Sequence, residues 1–519
     1  MLKRFSIPLL FCLIVMLTVA PGRAQAPLST PKAIPGELLV KFQPQQKGQL
    51  HLIAGATLLE SAPQGGWLRL RVESGQEAAM LAQLRQRGDV KLATYNYQIE
   101  AIGAPSDADF GQQWNLNNTG QTGGNPDADI DAPEAWNIFS GDSNITLAVI
   151  DTGVDLDHPD LQANLVPGYD FYNDDAIPDD DNSHGTHAAG IAAAIGNNGL
   201  GISGVSWAAK IMSLKILNAQ GNGSLFDLVQ ALYYATDHGA KVVNMSLGGS
   251  CSGIDWSSVE EAVAYAVSKG VLLVAASGNT NAPAPLCPAG LAGVLAVGAT
   301  DNFDLRWSGS NYGSTLDVTA PGASIYSTVH EGNYGYKTGT SMAGPHVAGL
   351  AALVWSLDPS LTSEQVSDAI LSNSDDLGAP GWDQYFGYGR INAWRAVDAV
   401  SFQVPREHTI LLGQDTLSVT DTLQLVAVHP QAITWTTTIS PVASWLSLSP
   451  PSSGTISATS PPANLSFVAT QPATSGVYTA TLITTGTLTS GATLLPRQTE
   501  VRLTYGALHR MIFPFIVNR

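Results

Sequence analysis

At 519 residues the chain is long enough for two or three domains with a large core. Only 13% of its residues are charged, and an acidic excess of −19 excludes the basic footprint that nucleic-acid binding requires. In chain order, Lys3 and Arg4, the apolar run from Leu9 to Ala20, and Ala24-Gln25-Ala26 read as a signal peptide over residues 1–26. That run is too short to span a membrane and no later stretch is long enough, so the protein is expected to be secreted.

Residues 27–103 predict a small α+β unit: Gly36 to Phe42 is strand-like, Gln76 to Arg87 helical, and Val90 to Ile102 extended again. Over residues 104–400 strand and helix patterns alternate, which predicts a parallel α/β sheet sandwiched by helices. Strands are expected at 145–150, 210–216, 242–246, 271–276 and 294–299, and helices at 184–195, 225–238, 257–269, 341–357 and 362–372. After Val400 the composition turns to Thr, Ser and Pro with period-2 apolar patterns such as Thr422 to Val428. Short strands with turn signals between them predict an all-β sandwich over 401–519. The last ten residues, Arg510 to Arg519, are apolar between arginines and read as a final strand or a sorting signal.

The chemistry concentrates in three stretches. Gly339-Thr340-Ser341-Met342-Ala343 sets a serine where an extended run gives way to an apolar helix, beside free backbone N–H groups and the positive end of the dipole. Pro345 is expected in the first turn, where its missing N–H costs nothing. Ser341 there is either a helix cap or a nucleophile, and a nucleophile needs a base and an orienting partner. Asp151-Thr152-Gly153 ends a buried strand, at the crevice where parallel sheets bind ligands. His184-Gly185-Thr186-His187 opens a small-residue helix. Zinc held by His184 and His187 is disfavoured, because the spacing lacks the helical two-histidine face and a third ligand. His187 and His346 read as packed, hydrogen-bonded histidines of a first helical turn.

These blocks, with Ala275-Ala276-Ser277-Gly278-Asn279 as a fourth, resemble the signature segments of the subtilisin-like (subtilase) serine peptidases. The resemblance runs from about Asp107 to Val400, with all blocks in the family's order. It implies Ser341 as nucleophile, His184 as general base, Asp151 as its orienting partner, and Asn279 as oxyanion donor. It makes residues 27–103 a pro-segment that chaperones and inhibits, with cleavage expected in the loop Ile102 to Ser106. The segment Ser246-Leu247-Gly248 is expected to pair with substrate as an added strand. The pocket for the residue before the cut (P1) would be walled by Leu247-Gly248, Ala276-Ser277-Gly278 and Leu286-Cys287-Pro288. No charged residue stands there, so apolar or small P1 residues and broad cleavage of polypeptides are expected. A binding or adhesion protein with a relic peptidase domain is the alternative, and the intact set of four site residues argues against it.

The resemblance also implies calcium. Asp107, Asp160 and Asn198 match the family's strong site; Asp170, Asp175 and Asp179 match a second site of thermitase-like members. The bland alternative is a solvated acidic loop. Cys12 leaves with the signal peptide, so Cys251 and Cys287 remain as an even pair in an oxidising compartment. The family fold would bring them together as one disulfide; two buried free thiols are the alternative. Trp445 to Pro450 and Gly476 to Thr481 resemble bacterial immunoglobulin-like modules of the BACON type, which leaves a spacer or a carbohydrate- or surface-binding role open.

Overall fold

The computed structural model describes residues 33–42, 55–61, 67–73, 76–97, 104–405, 407–413 and 416–506. The expected signal peptide, the stretch 98–103 where the expected cleavage loop begins, and the arginine-flanked tail lie outside them. The chain divides into two compact units, Met1–Ile102 and Gly103–Arg519.

The first unit contains β1 (Ala33–Phe42), β2 (Ala56–Ser61), β3 (Trp67–Val72), α1 (Glu77–Gln86) and β4 (Val90–Tyr97). Its antiparallel sheet has the order β2-β3-β1-β4. Alternation turns Leu38, Val40 and Phe42 of β1 to one face, and the helix buries Met80, Leu81 and Leu84 in the same cluster.

The second unit opens with α2 (Ala132–Ile138), β5 (Thr146–Asp151), β6 (Leu165–Asp170), α3 (His184–Ala193), β7 (Lys210–Lys215) and α4 (Leu225–Asp237). It continues through β8 (Val242–Met245), α5 (Ser257–Ser268), β9 (Leu272–Ala276), β10 (Val294–Thr300) and β11 (Val318–Pro321). The hairpin β12 (Ile325–Val329) and β13 (Asn333–Lys337) leads into α6 (Thr340–Leu357), α7 (Ser363–Leu371) and α8 (Ala393–Ser401). Seven parallel strands form one sheet, β11-β10-β9-β8-β5-β7-β6. The strand ends of β5, β8 and β9 therefore open on one edge, where α3 and α6 begin, and that edge is where such sheets bind ligands.

Two strands of this sheet lacked a sequence signal. In β6, Pro167 and Gly168 interrupt the apolar pattern; the strand stands at the sheet edge, where a missing N–H is tolerated. Gly168 is needed there because a Cβ would lie 1.9 Å from Ser213 O. At the other edge, β11 is only four residues long and ends on Pro321.

Helix α6 corrects the placement of Pro345. The helix starts at Thr340, so Pro345 falls beyond the first turn, and its missing N–H leaves the Ser341 carbonyl without its helical donor. The Ser246 hydroxyl takes that place, donating to Ser341 O at 2.8 Å.

The remaining strands are β14 (Phe402–Gln403), β15 (Glu407–Gly413), β16 (Ser418–Ala427), β17 (Ile433–Ser440), β18 (Leu446–Leu448), β19 (Ser453–Ile456), β20 (Ala463–Thr470), β21 (Gly476–Leu488) and β22 (Arg497–Gly506). They form two sheets, β14-β16-β20-β18 and β15-β22-β21-β17-β19. The sandwich is not hung on a linker: α8 runs straight into β14, and Phe402 is buried in a core continuous with that of the α/β part. Across the junction Arg497 pairs with the buried Asp398 at 2.6 Å, and His429 Nε2–H donates to Ile138 O at 2.7 Å.

Candidate active site

The end of β5 and the start of α3 meet closely. A Cβ on Gly185 would lie 2.0 Å from Gly153 O, so only glycine lets the helix come this near the strand. His184 Nδ1–H then donates to Asp151 Oδ1 at 2.7 Å. Asp151 is fully buried, whereas the His184 side chain stays 26% exposed. Burial works to lower the His184 pKa, but the charge and hydrogen bond of Asp151 outweigh it, and the net direction is upward.

Ser341 sits at the start of α6, opposite the end of β8. Its hydroxyl donates to Ser246 O at 3.1 Å rather than to His184. Catalytic hydrogen bonds of unliganded sites are often loose and form only with substrate. Ser341, His184 and Asn279 line a single cleft of about 800 Å³ with Ser246, Leu247, Gly248, Ala276 and Gly278. Ser277 does not line the cleft: it is fully buried, its N–H donating to Val297 O at 2.9 Å, its hydroxyl to Asn311 O at 3.3 Å, and its carbonyl accepting from Leu286 N at 2.8 Å.

The exposed Asn279 is held by its oxygen. Asn279 Oδ1 accepts from Thr340 N and from Thr340 Oγ1, each at 2.8 Å, and among the described residues nothing accepts from its Nδ2. Thr340 Oγ1 in turn accepts from Gly278 N at 3.0 Å.

Three residues of this site were not legible as such. Asp180 read as part of an acidic loop, yet its carboxylate accepts from Thr152 Oγ1 at 2.8 Å and from the N–H groups of Asn182, Ser183 and Thr186. It thereby joins the strand of Asp151 to the helix of His184. Lys215 is a lysine 1% exposed whose ammonium donates to Thr152 O, to Leu217 O and to Asp181 Oδ1 at 2.7 Å. A charge set among apolar Ile211, Met212, Leu214 and Ile216 was its only signal. Thr340 is the third, and beside Ser341 it carried none.

His187 and His346 are buried and bonded to backbone. His187 Nε2 faces Ile325 O and Gly335 O, and burial lowers its pKa to about 3. His346 Nδ1–H donates to Met342 O and its Nε2 accepts from Asn115, with the pKa lowered by burial to about 4. Cys251 and Cys287 are joined as a disulfide.

Of the expected calcium ligands, the first set converges. Asn198 N donates to Asp107 Oδ1 at 2.8 Å and Asn198 Nδ2 to Asp160 Oδ1 at 2.7 Å. Both carboxylates are buried, and among the described residues neither has a salt bridge. Burial, with the charge of Asp107 adding to it, pushes the Asp160 pKa up. Buried oxygens of this kind suit a hard cation. In the second set, Asp170 and Asp175 exchange backbone hydrogen bonds at 2.9 and 3.0 Å, while their carboxylates accept from Asn173 and from Ile177 N, and Asp179 accepts from Leu156 N at 3.2 Å. Among the described residues no three of His, Cys, Asp and Glu are arranged to hold a metal.

Residues 142–389 match the subtilase family model, and residues 20–96 match that of the fervidolysin N-terminal prodomain. The chain is 39% identical over 372 residues to the thermophilic serine proteinase of Bacillus sp. (strain AK1), covering 70% of this chain and 88% of that protein. The chain belongs to the subtilase family. This subtilase is thus a serine endopeptidase carrying its own prodomain, and its substrates are polypeptides. It is also 43% identical over 268 residues to thermitase of Thermoactinomyces vulgaris, covering 52% of the subtilase and 93% of thermitase. A solved protease of Pseudoalteromonas arctica aligns with TM-score 0.51 and 32% identity, over 57% of the subtilase and 99% of that chain.

Proposed function

We propose that this subtilase is a secreted endopeptidase of broad specificity that works through Asp151, His184 and Ser341 and frees itself from its own prodomain. The observation that carries the reading is the 2.7 Å bond from His184 to Asp151 at a cleft that also holds Ser341 and Asn279. Ser341 Oγ attacks the scissile carbonyl carbon, and its proton passes to His184 Nε2. Asp151 keeps the Nδ1 proton in place and stabilises the imidazolium. Negative charge forming on the carbonyl oxygen is met by Asn279 Nδ2 and Ser341 N–H. The intermediate collapses to an acyl-enzyme as His184 gives its proton to the leaving amine, and water repeats the sequence to release the acid. The cleft lining is uncharged apart from His184, which supports apolar or small P1 residues.

Secretion is supported by the signal-peptide pattern at residues 1–26 and by the disulfide, which favours an oxidising compartment. Among the described residues no helix is long and apolar enough to cross a membrane. Self-cleavage is placed between Ile102 and Asp107, a small-residue linker without strand or helix signals. Asp107, Asp160 and Asn198 would hold a structural calcium ion.

A serine-directed fluorophosphonate and a gel of the secreted protein test the reading. Wild type should be labelled and mature; Ser341→Ala should be unlabelled and accumulate as uncut precursor; Asn279→Ala should mature slowly. If Ser341→Ala is labelled and hydrolyses casein at the wild-type rate, Ser341 is only a helix residue and the reading falls.

A further inference from the structure

A second concave surface stands beside the cleft, and a chain of contacts ties the two together. Asn279 and Thr280 line the cleft. The buried Asn311 holds the residues that follow: its Oδ1 accepts from Thr280 N, Thr280 Oγ1 and Ala282 N, each at 3.0 Å. Arg306 donates to Asn281 Oδ1 at 2.8 Å, and its guanidinium lies over the rings of Tyr312 and Tyr385, 5.0 and 5.9 Å from their centroids. Those two rings are 4.9 Å apart. Tyr385 in turn lines a pocket of about 670 Å³ with Trp382, Phe386, Asp383 and Gln384.

This pocket is built before anything enters it. Trp382 Nε1–H donates to Leu316 O at 2.9 Å. The Asp383 carboxylate accepts from the N–H groups of Ala379, Tyr385 and Phe386 at 2.9, 2.7 and 3.0 Å. Gln384 O accepts from Gly313 N at 2.8 Å, which ties the loop to the segment of Tyr312. With those polar groups satisfied inside the protein, Trp382 and Tyr385 still leave 42% and 43% of their surface exposed. Single exposed rings are ordinary, but adjoining rings around a concavity mark a contact surface. An apolar side chain entering there sheds water without having to order the walls first.

The neighbouring cleft names the occupant, because its substrates are polypeptides. From Asn279 the path through Asn281 and Arg306 to the Tyr385 ring is roughly 20 Å at most, a span that about six extended residues cover. The pocket is therefore within reach of the same chain that the cleft holds.

We propose that this aromatic pocket is an exosite for polypeptide substrates, taking one large apolar side chain, leucine or aromatic, from the part of the substrate that runs beyond the cleft. The inference rests on the reading of the cleft as the site of peptide hydrolysis and extends it to how long substrates are gripped. Binding so far from the reacting bond is equal in ground and transition states, so it lowers KM and leaves kcat unchanged.

The experiment uses a tetrapeptide anilide, too short to reach the pocket, and two quenched fluorescent peptides about 20 residues long. The long peptides share one central cleavage segment, with the cut position checked by mass spectrometry. Their outer flanks carry leucine and phenylalanine in one and serine in the other. Wild type should show a KM about fivefold or more lower for the apolar-flanked peptide at equal kcat, the size expected from burying one such side chain. Trp382→Ala/Tyr385→Ala should remove that difference while keeping fluorophosphonate labelling and the kinetics on the anilide. Equal KM for the two long peptides in wild type overturns the proposal with no variant needed. So does a labelled double variant that keeps the difference, or one that loses anilide turnover in step, which would make these residues supports of the cleft. A difference that persists while the mass of the double variant in solution halves gives the surface to a second copy of the chain and also overturns it. If wild type cleaves none of the three and takes no label, the assignment of Ser341 falls and this proposal with it.

Discussion

Replacing Thr340 by valine would remove a single hydroxyl from a fully buried position and preserve its shape. That hydroxyl accepts from Gly278 N at 3.0 Å and donates to Asn279 Oδ1 at 2.8 Å. Valine leaves Gly278 N–H buried without that acceptor, which should cost about 1–3 kcal/mol of stability. Asn279 keeps its bond from Thr340 N at 2.8 Å, so its amide stays near the cleft but is held by one contact instead of two. Losing one such bond, at about 1–2 kcal/mol in the transition state, corresponds to a roughly 5- to 30-fold fall in kcat. KM should barely move, because the oxyanion exists only after attack has begun. The assay is kcat and KM on a peptide anilide for Thr340→Val, Thr340→Ser, Asn279→Ala and the Thr340→Val/Asn279→Ala pair. Serine should restore kcat, and the valine should cost little once Asn279 is gone. Losses that simply add in the double variant, or a loss confined to KM, would refute the link from Thr340 to Asn279.

Three further outcomes are expected. The positive charge of Lys337 opposes protonation of His184, so Lys337→Gln should raise the His184 pKa and move the acid limb of kcat/KM to higher pH; a limb that stays or moves down counts against it. Burial first, then the charge of Asp129, pushes the Asp131 pKa up to about 7. The folded chain therefore holds this proton more tightly than the unfolded chain, and rising pH weakens the fold from the ordinary carboxylate range up through about 7. Asp131→Asn keeps an acceptor for Asn392 and should raise the melting temperature at about pH 8.5 but not at about pH 4 (conditions chosen either side of that window); equal melting curves at both would refute it. Chelation should lower the melting temperature of the mature enzyme, and added calcium should restore it; if chelator changes nothing, Asp107, Asp160 and Asn198 hold no ion.

Features written in a short window of residues were readable without a structure. Strand and helix periods over residues 145–357 placed the main parallel strands and helices to within a residue or two, because burial on one face or both leaves its period in the sequence. The order of the Asp151, His184 and Ser341 blocks and their positions at element ends came from the same local signals. What tertiary structure decided were contacts between residues far apart. Thr340 reaches Gly278 across 62 positions and Lys215 reaches Thr152 across 63, and nothing near either residue encodes its partner. Pro345 looked harmless only under the assumption of a later helix start; the cost was met instead by Ser246, 95 positions away from Ser341. The same holds for the acidic run before His184. Composition makes Asp179, Asp180 and Asp181 look equivalent, but folding gives Leu156 N, the Asp151–His184 junction and the Lys215 ammonium to one each, since only the packed fold brings those donors within hydrogen-bond reach.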